Sequence, residues 1–334
     1  MPNHPIESPG SSGEHRWAFL VNPVSGNGCG LAIKEQIAGT LRGMGLADDR
    51  WICEVTQPGA QLVEQVKKLS ESFDRVVVAG GDGTIGLAIQ GIAHGNSSGC
   101  ALGVVPIGTG NDLARELRLL SSFRRGGLKS LLEAFFLDRT APLDLWSVNG
   151  RATMVNYLSL GLDGKSTETF ARRRILGGNH SLVANKLRFG LSGILSLGHR
   201  LPDDFRLRIH SAGGFRDILL GGKRTVAILN ISHYAAGLMR IAGTRPDDNQ
   251  LTAVCIGSMA TYGGLLARRF FTLGRVGPGM LPTWKGDRIE CFWSGDVGLQ
   301  IDGEGRNDLR KCGHLDITCH SRIQVLVGVP EAEE

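Results

Sequence analysis

The chain has 334 residues, 42% hydrophobic and 21% charged, which are the proportions of a soluble globular protein large enough for two domains. No window approaches the roughly 18 to 20 apolar residues that cross a bilayer as a helix, and the polar stretch Met1 to His15 lacks an apolar core, so it is expected to be a disordered leader and not a signal peptide. The formal charge of +5 is uneven, −2 on residues 1–150 and +7 on residues 151–334; the second half therefore suits an anionic partner, while 6% aromatic content without aromatic–basic interleaving argues against nucleic acid.

Taken in chain order, the apolar run from Trp17 predicts a strand near 17–21. It feeds Asn22-Pro23-Val24-Ser25-Gly26-Asn27-Gly28-Cys29-Gly30, and Ile33, Ile37 and Leu41 then mark a helix near 31–43. A strand near 51–55 and a helix near 59–71 follow. A third strand near 76–79 runs into Gly80-Gly81-Asp82-Gly83-Thr84 and a helix near 84–94. A fourth, near 102–106, runs into Ile107-Gly108-Thr109-Gly110-Asn111-Asp112 and a helix near 111–117, with another near 127–137. This alternation predicts an N-terminal α/β domain at 16–143 with a parallel sheet covered on both faces. Beyond Pro142 the texture changes to a mostly antiparallel β domain at 144–329. Its strands are expected near 143–148, 152–160, 205–210, 217–220, 224–232, 251–256, 287–292, 298–301, 314–319 and 323–328, with an apolar helical pattern at 181–198.

Each of three glycine-bearing turns follows a strand and opens a helix, so all three fall at the C-terminal edge of one sheet, where open α/β sheets bind ligands. Uncapped N–H groups there suit an anion, and glycines let the backbone approach phosphate closely. Asp82 is the odd member, because a carboxylate repels a polyphosphate. It calls for Mg²⁺ or a proton-transfer role. Thr109 and Asn111 are donors, and Asp112 suits a helix start.

Other motifs weaken on inspection. Gly161-Leu162-Asp163-Gly164-Lys165-Ser166 resembles a phosphate loop, but Ser159 stands where its first glycine belongs. Gly26, Gly28 and Gly30, with Glu54, have the wrong spacing for a dinucleotide fingerprint. Cys312, His314, Cys319 and His320 match no standard zinc spacing. Seven cysteines without a CxxC pair suit reduced thiols in a cytoplasmic protein.

Several segments together resemble diacylglycerol kinases, within the wider lipid-kinase superfamily that includes sphingosine kinases. They are Asn22-Pro23-Val24-Ser25-Gly26, Gly80 to Thr84, and Pro106-Ile107-Gly108-Thr109-Gly110-Asn111-Asp112-Leu113-Ala114-Arg115. The likeness continues through Asn156 to Asp163, Asn185-Lys186-Leu187-Arg188-Phe189, Leu229 to Gly237, and Gln300-Ile301-Asp302-Gly303-Glu304, and covers 16 to about 329. Two departures stand out. Ala236-Gly237 replaces the usual two glycines, and Asp248-Asn249 replaces an Asp-Gly pair in a loop that holds a structural Mg²⁺ in soluble bacterial relatives. No cysteine-rich lipid-binding repeat precedes the catalytic domain, so recruitment through bound diacylglycerol is not implied.

The resemblance implies an ATP- and Mg²⁺-dependent lipid kinase, with its active site in the cleft between the domains, most simply converting diacylglycerol to phosphatidic acid. A sphingosine- or ceramide-type kinase, a soluble NAD kinase-like enzyme, and a non-catalytic lipid or nucleotide binder are the alternatives. Phosphates would lie against Asn22, Ser25, Gly26, Gly80, Gly81, Gly83 and Thr84, adenosine near Thr56, with Thr109, Gly110, Asn111 and Asp112 completing the pocket. Asp82 and Asp144 would organise Mg²⁺, and Asp248 a structural metal. Glu304 is favoured as general base over Asp82. Peripheral association with an anionic membrane is expected, through Arg172-Arg173-Arg174 and Arg268-Arg269, with 181–198 packing on the sheet or lining a lipid entrance.

Overall fold

The computed structural model describes residues 15–26, 28–95, 99–167, 198–237, 239–270, 275–276 and 280–329. Nearly all of the leader, Arg172-Arg173-Arg174, the 181–198 pattern up to residue 197, and the Asn185 to Phe189 segment lie outside these residues, as do the side chains of Arg268 and Arg269. The chain divides into two compact units, Met1–Leu143 with Arg322–Glu334, and Asp144–Ser321.

The first unit is α/β. Strands β1 (Trp17–Val21), β2 (Trp51–Val55), β3 (Arg75–Gly80) and β4 (Ala101–Pro106) lie in the order β2-β1-β3-β4, all parallel. Every residue of β1, β3 and β4 is buried, so these strands read as continuous apolar runs and not as alternations. The helices are α1 (Gly30–Gly43), α2 (Ala60–Ser70), α3 (Asp82–His94), α4 (Asp112–Glu116) and α5 (Leu119–Phe136). Helix α1 turns Ile37 and Leu41 inward, and α3 turns Ile85, Ala88, Ile89 and Ile92 inward, the spacing of an amphipathic helix. Gly91 lets α3 close on α2: a Cβ there would stand 2.6 Å from Val66 Cβ. Helix α5 is broken at Gly126 and Gly127, the latter with φ +64°, so only its second half carries the pattern expected from 127 onward.

The second unit is mostly antiparallel β. Its elements are β5 (Thr140–Val148, beginning in the first unit), β6 (Ala152–Met154), β7 (Tyr157–Gly161), β8 (Arg206–Ser211), β9 (Gly214–Leu219), β10 (Thr225–Leu229), β11 (His233–Tyr234), β12 (Met239–Ile241), β13 (Leu251–Ile256), α6 (Met259–Phe270), β14 (Arg275–Val276), β15 (Thr283–Gly286), β16 (Arg288–Phe292), β17 (Leu299–Ile301), β18 (Glu304–Gly305) and β19 (His314–Leu326). One sheet runs β15-β13-β10-β7-β17-β18. Another part pairs β9, β8, β16 and the start of β19. Inward residues such as Leu158, Leu160, Val226, Ile228, Leu207, Ile289 and Ile317 share one core.

Three features differ from the sequence expectation. The strand expected at 152–160 is two, β6 and β7, because the amides of Val155, Asn156 and Tyr157 turn to the Asp302 carboxylate. The strands expected at 314–319 and 323–328 are one, β19. Its end does not stay with the second unit as a boundary at 329 would have it: Gln324 and Val325 pair parallel with Ala101 and Leu102 of β4, and Leu326 Cδ1 stands 3.0 Å from where a Gly103 Cβ would lie.

Candidate active site

In the first unit, the turns after β1, β3 and β4 come together. Asn22, just past β1, donates from its backbone N–H to Ala79 O at 2.9 Å and from Nδ2 to Thr84 Oγ1 at 2.7 Å, tying the first turn to the second. Its Oδ1 accepts the Val24 N–H at 3.1 Å, and Gly26 turns the chain with φ +62°. The second and third turns press together, since a Cβ on Gly108 would stand 2.4 Å from Gly81 Cα. No side chain caps the N-terminus of α1 or α3, so both helices open with uncapped N–H groups. Thr109 is exposed, Ser25 is half-buried, and Thr56 closes the ladder beyond β2 by donating its N–H to Val21 O at 3.0 Å.

Asn111 holds the third turn in a left-handed conformation, φ +56°. Its side chain braces the loop, Oδ1 accepting the Gly108 N–H at 3.1 Å and Nδ2 donating to Gly108 O at 2.7 Å. Its backbone N–H donates to Asp82 Oδ2 at 2.9 Å. Asp82 Oδ1 is buried and has no hydrogen-bond partner among the described residues. Burial pushes the Asp82 carboxyl above the usual carboxylate range and the neighbouring Asp112 adds to this, opposed by the Asn111 and Asp112 amides and by Arg115. Asp112 itself accepts from Arg115 at 2.9 Å. The half-satisfied carboxylate suits a cation, which would replace the missing partner of Oδ1.

In the second unit the Asp-Gly-Glu segment is a tight hairpin turn, with φ +50° at Asp302 and +86° at Gly303. The Asp302 carboxylate accepts the amides of Val155 (2.8 Å), Asn156 (2.7 Å) and Tyr157 (3.0 Å). Glu304, the first residue of β18, is exposed. Asp144 is wholly buried, with one carboxylate oxygen accepting the Asn249 amide at 2.7 Å. Asp248 pairs with Lys285 at 3.3 Å and accepts the Gln250 amide at 3.1 Å. Among the described residues no three His, Cys, Asp or Glu side chains gather as a metal set. Ala235 and Ala236 stand at φ +53° and +58°, the left-handed conformation that glycine adopts freely.

Two buried hydrogen-bond groups escaped the sequence reading. Asn230, fully buried, donates to Asp144 O (2.9 Å) and Val155 O (2.7 Å) while its Oδ1 accepts the Trp146 indole N–H (2.9 Å). Asp163 accepts hydroxyl hydrogen bonds from Tyr234 and, at 2.6 Å, from Tyr262. The phosphate-loop lookalike has a packing role: a Cβ on Gly164 would stand 2.3 Å from the Gly298 backbone.

The diacylglycerol kinase catalytic domain matches residues 16–148. Diacylglycerol kinase 2 of Arabidopsis thaliana is 26% identical over 298 residues, covering 82% of this chain and 41% of that protein. A diacylglycerol kinase of Staphylococcus haemolyticus is 22% identical over 243 residues, covering 71% of this chain and 66% of its own. A YegS-like protein of Pseudomonas aeruginosa, named for lipid kinase activity, is 31% identical over 132 residues, 39% of this chain and 40% of its own. The chain thus spans less than half the length of the plant relative. A solved diacylglycerol kinase structure from Bacillus anthracis shares the fold, with a TM-score of 0.63 at 14% identity over 94% of this chain and 98% of that one. Residues 16–148 of the chain are thus similar to the diacylglycerol kinase catalytic domain.

Proposed function

We propose that the protein transfers the γ-phosphoryl group of ATP to a lipid hydroxyl, with diacylglycerol as acceptor and phosphatidic acid as product. The carrying observation is the buried, unpartnered Oδ1 of Asp82 beside two uncapped helix N-termini and a pair of glycine turns in backbone contact. The catalytic-domain match and the names of the relatives support diacylglycerol; the YegS-like relative supports only the broader lipid-kinase class.

In this reading the N–H groups at the starts of α1 and α3, with Asn22, Ser25 and Thr84, hold the triphosphate, and the third turn closes over it. Thr56 contacts the adenosine side. Asp82 Oδ1 would hold Mg²⁺, whose other ligands come from phosphate and water, the usual pattern for this ion; bound there, it would neutralise charge on the transferring group. Asp144 and Asp248 hold the 246–249 loop by their observed bonds, and we assign them no metal. The acceptor oxygen bonds to the γ-phosphorus, the bond to the bridging oxygen breaks with its electron pair leaving on ADP, and the hydroxyl proton passes to Glu304. The reaction takes place at an anionic membrane surface, a reading supported by the +7 charge of residues 151–334. No helix among the described residues is long and apolar enough to cross a membrane.

The test is transfer of labelled phosphate from ATP to a panel of lipids in mixed micelles, with NAD as a soluble acceptor. Label in phosphatidic acid, lost in Asp82→Asn, supports the proposal. Label on another lipid moves the substrate, and label on NAD alone rejects a lipid acceptor.

A further inference from the structure

Strand β9 ends the run β19-β16-β8-β9 in the second unit, and no strand pairs its outer side among the described residues. All its residues but Ile218 are exposed. Two of them are large and apolar: Phe215 is 61% exposed and Leu219 76%. Proteins blunt such edges with proline, lysine or a bulge. Gly214–Leu219 has none of these, and its register with β8 is unbroken. The Leu220 N–H donates to Phe205 O at 2.9 Å, in the same register that pairs Ile218 with Leu207 and Arg216 with Ile209. Antiparallel strands bond at alternate pairs, so Gly214, Arg216 and Ile218 direct their backbone groups to β8, while Phe215, Asp217 and Leu219 turn theirs outward. The side chains of these three also share one face. Asp217, at their centre, is held by Arg208 through bonds of 2.8 and 3.0 Å and by Arg206 at 3.4 Å. Arg208 also lies over the Phe215 ring, 4.4 Å from its centroid. The order apolar, acidic, apolar is therefore symmetric about Asp217.

We propose that β9 is a self-pairing edge: two copies of this chain join β9 to β9, antiparallel about a two-fold axis at Asp217, and form one continuous sheet. In this register each outward N–H meets an outward C=O of the second copy, and Phe215 stands opposite Leu219 of the second copy on both sides of the axis, so both exposed apolar side chains are covered. The two Asp217 carboxylates face each other, and the arginines that already hold each of them offset the repulsion. Moving the axis to Arg216 would set two guanidiniums face to face and Phe215 against Asp217. Moving it to Ile218 would set Leu219 against Asp217. Only the Asp217 axis matches like with like, the self-complementarity that a two-fold interface requires. The contact is small, so the dimer is weak and depends on concentration. The inference does not depend on the reaction proposed above.

The experiment is sedimentation of the full chain from about 1 to 300 μM, over which the unmodified protein is expected to pass from monomer to dimer. Leu219→Pro removes an outward N–H that β8 does not use, a change an edge strand tolerates, and is expected to weaken the dimer about tenfold or more. Phe215→Lys, which leaves the backbone untouched and supplies the missing guard, is expected to do the same. The register is read by cross-linking with a short bismaleimide, in a background of Cys29→Ser and Cys312→Ser that removes the exposed thiols. Asp217→Cys is expected to link to its own copy, because opposed Cα atoms of such a pair lie about 5.5 Å apart. Phe215→Cys alone is expected not to link, its two copies lying about 14 Å apart along the strands, but to link when mixed with Leu219→Cys. A protein that stays monomeric throughout overturns the proposal. A dimer that neither Leu219→Pro nor Phe215→Lys weakens places the contact elsewhere and overturns it too, as does linking at Phe215→Cys in preference to Asp217→Cys. A monomer whose binding to anionic vesicles falls in Phe215→Ser gives this edge to a membrane and likewise overturns it.

Discussion

Asp82 and Asp302 both sit beside glycine in an acidic turn, yet they are satisfied to different degrees. Asp302 receives three backbone amides and is fully employed in holding β6, β7 and its own hairpin. Asp82 receives the Asn111 amide on Oδ2 and keeps Oδ1 buried and unpartnered. A folded chain rarely tolerates such a vacancy, because an unmade bond at a buried polar atom costs about 1–3 kcal/mol. The contrast separates acidic residues that build the frame from one that keeps a buried oxygen unpartnered, the oxygen proposed above to hold Mg²⁺. In the reaction proposed above Glu304 would join Asp82 in that second class, its carboxylate exposed while its neighbour Asp302 holds the turn.

The largest effect should come from the vacancy itself. Asp82→Asn is expected to lower kcat by about 100-fold or more, the scale of a positioned charge or proton-transfer group, while raising thermal stability at neutral pH by roughly 0.5–2 kcal/mol. The sign follows from its raised carboxyl pKa. A group raised in the folded state favours the fold while protonated, below the ordinary value of about 3.9, and loses that contribution as pH rises through its folded value. The Tm advantage of the variant should therefore grow from about pH 4 upward, in scans across a pH series. A variant less stable than the parent at pH 7 would mean that Asp82 is a frame residue like Asp302.

Asp302→Asn should show the opposite pattern. It leaves buried amides short of an acceptor and is expected to destabilise the protein by about 1–3 kcal/mol in denaturant titrations. Gly108→Ala tests the contact between the turns. With a Cβ facing Gly81 Cα at 2.4 Å, backbone must move, at a cost of about 1–3 kcal/mol and a raised KM for ATP. The smallest effect is expected at Ala236→Gly, a stabilisation of about 0.5–1 kcal/mol, because relief of the left-handed alanine outweighs the added freedom of the unfolded chain.

The same contrast shows what the sequence made visible. Strands β1, β3 and β4 were legible because they are buried on both faces, and the glycine turns because each follows such a run and opens a helix. The roles of Asp302 and Asp163 were not legible. The amides that Asp302 collects lie 145 to 147 residues away and belong to the backbone, so nothing in the side chains of Val155, Asn156 or Tyr157 announces them. The tyrosines on Asp163 lie 71 and 99 residues from it. Helix α6 was hidden by the Gly263-Gly264 pair, which weakens a helical pattern. The length of β19 was hidden by the polar stretch His320 to Arg322, which breaks the apolar alternation without ending the strand.

The return of β19 to β4 also sets an order of events during synthesis. A nascent chain complete through Ser321 already carries all three glycine turns, yet β4 still lacks the partner that Gln324 and Val325 provide. Until those residues leave the ribosome, that edge presents unpaired N–H and C=O groups to any strand that meets it. The unit that begins first thus waits for a strand made after the whole of the second unit, and until that strand arrives its open edge is where the newborn chain can mispair.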